Sequence, residues 1–141
     1  MKRRALHRTT FTLAAAYNIL WGLLAMGDPQ WFFRFTGMQP INHPGIFAGL
    51  GVVVGAFGIV YIEVVRRPEQ GFLLATAGLL GKVLGLPSAV LVLRGEWPLS
   101  ALVLTLTNDV IWLVPFGLYL HDAWPSWRGA REGEPLPAKT T

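Results

Sequence analysis

Four residues of this chain have types that could do chemistry in an otherwise apolar setting: Asn18, Lys82, Asn108 and Asp109. A lysine and an aspartate brought together away from water form an ion pair, a proton-exchanging pair or the poles of a ligand site, and carboxamides beside them add donors and acceptors. Their positions within the apolar runs make this more than composition. Lys82 is eleven residues from each end of the run 71–93, Asp109 is ten from Leu99 and eleven from Leu120, and Asn18 is nine from each end of the run 9–27. At a rise of about 1.5 Å per residue, Lys82 stands roughly 16 Å from either end of its helix, so three helices place polar groups at one depth. A lysine stem does not reach water from there, which disfavours snorkelling. The expectation is a direct or water-bridged pair between Lys82 and Asp109, with Asn18 or Asn108 hydrogen-bonded to it.

Neighbouring residues extend this layer. Asn18-Ile-Leu-Trp21 and Asp109-Val-Ile-Trp112 share a spacing that puts each tryptophan one turn from its polar residue, on helices running in opposite directions. Trp21 and Trp112 then bracket the polar groups from the two sides, either as core packing or as walls for a flat or cationic ligand. Pro87 and Pro115 have no N–H to offer the carbonyls of Val83 and Ile111, and either carbonyl is available to Lys82.

The elements that must hold these residues follow from hydropathy. The 141 residues are 52% hydrophobic and only 14% charged, against roughly 25% charged in soluble domains. Four apolar runs, at about 9–27, 45–65, 71–93 and 99–120, are each long enough to cross a bilayer. The expected fold is therefore all-α, a polytopic membrane four-helix bundle over residues 1–122, followed by a disordered cytoplasmic tail over 123–141 rich in glycine, proline and charge. Gly51, Gly55 and Gly58 on the second run, and Gly78 and Gly85 on the third, form small-residue stripes that permit close helix approach within the bundle or between subunits. The connection 28–44 carries Trp31, Phe32, Phe33 and Phe35 around Arg34, which suits a short helix in the headgroup layer, as an anchor or as a lid over a cavity.

Orientation follows from the basic residues. Nine lie on one side (Lys2, Arg3, Arg4, Arg8, Arg66, Arg67, Arg128, Arg131 and Lys139) and two, Arg34 and Arg94, on the other. This asymmetry predicts both termini in the cytoplasm and a multi-pass protein of the cell inner (cytoplasmic) membrane. The net charge of +4 is concentrated at the ends of apolar runs, so its expected partner is the lipid bilayer and its anionic headgroups, not nucleic acid. With no cysteine there are no thiolate metal sites or cysteine nucleophiles. The three histidines are too dispersed to share one metal, although His7, Glu63, His121 and Asp122 could meet at one rim. No metal is expected, and a cofactor remains unassigned.

Ala16-Tyr-Asn-Ile-Leu-Trp-Gly22, Gly78-Leu-Leu-Gly-Lys-Val-Leu-Gly85 and Thr107-Asn-Asp-Val-Ile-Trp-Leu-Val-Pro-Phe116 resemble segments of an uncharacterised family of small bacterial four-helix integral membrane proteins. The resemblance covers residues 11–120 and implies four spans without supplying an activity. In size and topology alone the chain also resembles the DoxX group.

Three function classes fit these features. The first is a structural or accessory subunit whose glycine stripes dock another membrane protein or a second copy, with the polar layer fixing helix register. The second is a membrane-embedded site that binds or transports a small ligand, ion or proton. The third is an intramembrane enzyme using Lys82 and Asp109 as acid and base on a lipid or quinone; no motif supports a reaction type, so catalysis is not the leading expectation. A cavity beside Lys82 and Asp109 favours the second class, and a dry, fully paired cluster the first.

Overall fold

The computed structural model describes residues 1–132, and all the regular structure in them is helical. In chain order the elements are α1 (Arg4–Gly27), α2 (Trp31–Thr36), α3 (Pro44–Arg66), α4 (Phe72–Gly85), α5 (Pro87–Leu93), α6 (Leu99–Thr105), a π-helical turn (Leu106–Val110) and α7 (Ile111–Arg131). Four stretches are long and apolar enough to cross a membrane: Arg4–Gly27, Pro44–Arg66, Phe72–Leu93 and Leu99–Arg131. The bundle's periphery is apolar as well, with Ile46 74% and Leu93 82% exposed. Such a surface suits hydrocarbon as solvent and supports a multi-pass membrane protein.

Helix α1 packs most extensively on α3, and α4 on α7. The first pairing depends on missing side chains. A Cβ on Gly22 would stand 2.7 Å from the Gly51 carbonyl oxygen and 2.8 Å from the Gly55 Cα, and one on Gly58 would stand 2.9 Å from the Ala15 carbonyl oxygen. A Cβ on Gly51 would press on Ala25 at 2.8 Å. In a bilayer, helix association relies on this close packing because lipid is as apolar as the helix surface. Gly78 lies under the Tyr61 ring and Gly85 against the Asp109 carboxylate. All five glycines read from the sequence as packing positions thus meet neighbours in their own chain.

Both ends of the bundle are closed by polar and aromatic contacts. At the end holding the N-terminus, Arg3 Nε and Nη2 donate to the Asp122 carboxylate at 2.9 and 2.7 Å, and His7 Nε2 lies 2.9 Å from the same group. His121 Nδ1 is 3.3 Å from it. Of the four residues read from the sequence as able to meet at this rim, Glu63 stays apart, paired with Arg66 and Arg67. The N-terminus and the end of α7 therefore share one end of the bundle. Just inside, Phe11, Tyr61, Phe116 and Tyr119 form a fully buried aromatic core, with the Phe11 and Phe116 centroids 4.5 Å apart. The Tyr119 hydroxyl donates to the Pro68 carbonyl at 2.7 Å, which ties the α3–α4 turn to α7.

Helix α7 continues to Arg131, so residues 123–131, expected to begin a disordered tail, are helical instead. The cause is aromatic packing: Trp127 stacks on Phe72 with centroids 4.7 Å apart, and the Arg131 guanidinium lies 5.0 Å from the Trp127 ring centre. The rest of the expected tail, 133–141, lies outside the described residues.

At the opposite end, α2 ends at Gly37, whose φ of 76° is the left-handed conformation that terminates helices. Its rings cover the bundle end through Phe32 and Phe33 against Phe47, and Trp31 against Trp21. Ser100 Oγ donates to the Thr36 carbonyl at 2.6 Å, fastening α2 to α6. Arg34 clasps Asp28, and this hydrogen-bonded cation holds the Asp28 carboxyl below its ordinary range.

Candidate functional site

The fourth span does not run as one regular helix. Over Leu106–Val110 it widens into a π-turn, in which the Ile111 N–H bonds to the Leu106 carbonyl five residues back. A regular helix would have given that N–H to the Thr107 carbonyl. Thr107 O instead accepts the Trp112 indole N–H at 3.0 Å. Such turns are often found at functional sites because the additional residue redirects side chains. Here the turn carries Asn108 and Asp109 on its inner side. Asn108 Nδ2 donates to Asp109 Oδ1 at 2.7 Å, and Asp109 is buried.

The third span is also interrupted. At Leu86, ahead of Pro87, the backbone tightens, and the Leu86 N–H donates to the Val83 carbonyl at 3.2 Å. The carbonyl that proline was expected to leave for Lys82 is thus taken locally. Ser88 Oγ bonds to the Gly85 carbonyl at 2.6 Å and lies 2.8 Å from Thr105 Oγ1, closing the break against α6.

Between α3 and α4, closed from behind by α1 and the π-turn, lies a cavity of about 210 Å³. Its polar wall is Asn18, Tyr61, Lys82, Asn108 and Asp109. Its apolar wall is Leu50, Val53, Val54 and Phe57, all on α3. Leu50, Val53 and the facing Gly81 are exposed on the bundle's periphery, so the cavity opens sideways between α3 and α4. From Leu50 to Tyr61 it follows α3 for about 16 Å.

Lys82 is 5% exposed and has no ion-pair partner among the described residues. Asp109 is the opposite charge it faces; of the direct or water-bridged pair expected from the sequence, the direct form is not made. Cavity space and the pull of Asn108 on the carboxylate leave the ammonium without a protein acceptor. The Asn18 and Asn108 side-chain oxygens are buried with no hydrogen-bond partner, although the Asn18 amide lies beside the Tyr61 hydroxyl. The orientation of the Asn108 amide is set by its neighbour, since only its nitrogen can donate to a carboxylate. The site therefore combines an unmatched cation with unmatched acceptors, a combination that is unfavourable in a low-dielectric interior unless something binds there.

The structure brings Asn18, Lys82, Asn108 and Asp109 to one cavity, and leaves Trp21 and Trp112 outside it. Trp21 packs with Trp31 and Phe47 toward the α2 end. Trp112, 8% exposed, packs on Tyr17 and Phe116 and satisfies the π-turn. Of the two readings of this pair, core packing is the one formed: neither indole borders the cavity, and Trp112 points to the π-turn backbone it repairs. Tyr61 is the polar wall residue that sequence reading missed. A signal was present: it continues the Gly51, Gly55, Gly58 stripe by one more helical step. The α2 aromatics are not part of the cavity wall, so their role is to cover the bundle end.

No known family model, curated protein or solved structure matches this chain. Its chemistry must be read from the cavity. Lys82 can donate to an acceptor, Asn18 and Asn108 can accept from a donor, and the apolar wall of α3 can lie along a hydrocarbon segment. Among the described residues, no group of three or more histidine or carboxylate side chains is placed to hold a metal.

Proposed function

We propose that this protein is a multi-pass component of the cytoplasmic membrane, with both termini in the cytoplasm, that binds a small ligand in the cavity between α3 and α4. The observation that carries the reading is the cavity of about 210 Å³ bordered by an unpaired, buried Lys82 and two orphaned carboxamide oxygens. A layer that served only to fix helix register is expected to be dry and internally satisfied. The accessory-subunit reading drew on the glycine stripes, and those glycines are occupied by contacts inside the chain. The orientation rests on the nine-to-two distribution of basic residues.

The aromatic core of Phe11, Tyr61, Phe116 and Tyr119 closes the bundle on the terminal side of the cavity. Binding is therefore the simplest activity, and access is lateral. Native mass spectrometry of protein released gently from its membrane tests the reading. Wild-type protein should retain a small bound molecule that Lys82→Met loses. Identical spectra for the two, with only bilayer phospholipid attached, would reject it.

A further inference from the structure

The polar wall also constrains the kind of ligand, provided that the cavity is a binding site as proposed above. A purely anionic head would satisfy Lys82, but it would meet the Asp109 carboxylate and leave the Asn18 and Asn108 oxygens without donors. A cationic head would satisfy those oxygens but meet the Lys82 ammonium. A hydroxyl is one donor and two acceptors at once, so two neighbouring hydroxyls can donate to both carboxamides while their oxygens accept from Lys82. Neutral charge and vicinal hydroxyls describe a glycerol-type head.

The rest of the cavity says what that head is attached to. A volume of about 210 Å³ equals roughly seven waters at ~30 Å³ each, room for a glycerol-sized head and the first atoms of a chain. The apolar wall of Leu50, Val53, Val54 and Phe57 continues along α3 to the open rim at Gly81. A hydrocarbon chain leaving the polar wall by that route would enter lipid directly. We infer that the cavity accepts a neutral single-chain amphiphile with a vicinal diol head, of the monoacylglycerol class, entering sideways from the bilayer between α3 and α4.

The test uses the full chain in an amine-oxide detergent, which carries no hydroxyl groups. Thermal-shift and native mass spectrometry titrations compare 1-decanoylglycerol, methyl decanoate, decanoate and decylammonium. The glycerol ester should bind saturably and at least tenfold more tightly than methyl decanoate, and both Asn18→Leu and the half-buried Asn108→Leu should remove that advantage. A Cβ at Gly81 meets nothing within 4 Å, so Gly81→Phe is a tolerated obstruction of the rim and should weaken every probe, whereas Gly49→Phe, away from the cavity wall, should not. If decanoate, decylammonium or methyl decanoate binds as tightly as the glycerol ester while Gly81→Phe still blocks binding, the diol assignment is wrong and the site stands. If no probe binds, the diol assignment falls; if probes bind but are indifferent to both Gly81→Phe and Lys82→Met, they bind elsewhere and the binding function falls with the assignment.

Discussion

Gly22→Ala should destabilise the bundle, and Gly49→Ala should not. In the first variant the added methyl meets the Gly51 carbonyl oxygen at 2.7 Å, the Gly55 Cα at 2.8 Å and the Gly55 nitrogen at 2.9 Å. All three are backbone atoms, so no side-chain rotation relieves the clash and α1 must move away from α3. In the second variant the methyl meets nothing within 4 Å. Both substitutions give the same gain in helix preference, about 1 kcal/mol in water, and this cancels when the two variants are compared. What remains is overpacking, typically about 1–3 kcal/mol. The rigid obstacle argues for the upper half of that range, about 2–3 kcal/mol or roughly 30- to 150-fold in the folding equilibrium. Reversible unfolding in mixed micelles, titrated with dodecyl sulfate, measures the difference. Gly55→Ala is a stricter control, because its methyl would lie 3.8 Å from the Gly22 Cα at ordinary contact distance. If Gly22→Ala matched Gly49→Ala within about 0.5 kcal/mol, the backbone approach would not be a source of stability and the account of α1–α3 packing would fail.

Trp112→Phe keeps most of the ring packing but removes the N–H that satisfies Thr107 O, so it should cost about 1–3 kcal/mol; a loss no larger than that of Trp124→Phe in the same micelle titration would refute this role. Asp122→Ala should lower the midpoint of thermal unfolding by freeing Arg3 and His7 from α7, and an unchanged midpoint would show that the latch contributes nothing. Lys82→Met should leave stability unchanged or raise it, because the ammonium is buried without a direct partner, whereas a structural ion pair would make that variant lose about 3–5 kcal/mol and Asp109→Leu restore it. Reporter fusions after Gln70 and after Thr141 should both read cytoplasmic, and an external reading at either would overturn the orientation.

The four spans were legible because hydropathy and length decide them, and so was the common depth of Asn18, Lys82 and Asp109, which follows from helical rise alone. What was not legible depends on departures from regular helix. A wheel drawn through the fourth span assumes i to i−4 bonding, and the π-turn at Leu106–Val110 breaks that assumption where the polar residues lie. Of the two roles open to Trp112, core packing and a ligand wall, the structure shows the first, with the indole N–H repairing the backbone. Proline chemistry correctly marked the break near Leu86, but not that the Leu86 N–H would take the exposed carbonyl. The helical run 123–131 was misread because glycine, proline and charge suggest disorder, while the stacking of Trp127 on Phe72 is a long-range contact that composition does not contain.

The position of the cavity follows from the way the helices pair. Glycines draw α1 and α3 into backbone contact, and α4 packs mainly on α7, so the bundle consists of two tight pairs set side by side. Two bulky groups press on α4: the Tyr61 ring, from α3, rests on Gly78, and the Asp109 carboxylate, from the π-turn, rests on Gly85. Each glycine accommodates its neighbour without a methyl in the way, and the Tyr61 ring spaces α3 from α4 beside Gly81 and Lys82. A lysine on α4 consequently borders the cavity without a direct bond to the Asp109 carboxylate it faces, and the small residues that tighten the bundle elsewhere are what leave this part of it open. Filling the seam with Gly78→Ala should therefore disturb Tyr61 and the cavity together. Removing the ring with Tyr61→Ala should open a void between the cavity and the aromatic core and destabilise the bundle by about 3–5 kcal/mol, and a loss under about 1 kcal/mol in the micelle titration would show that the ring does not hold α3 and α4 in place.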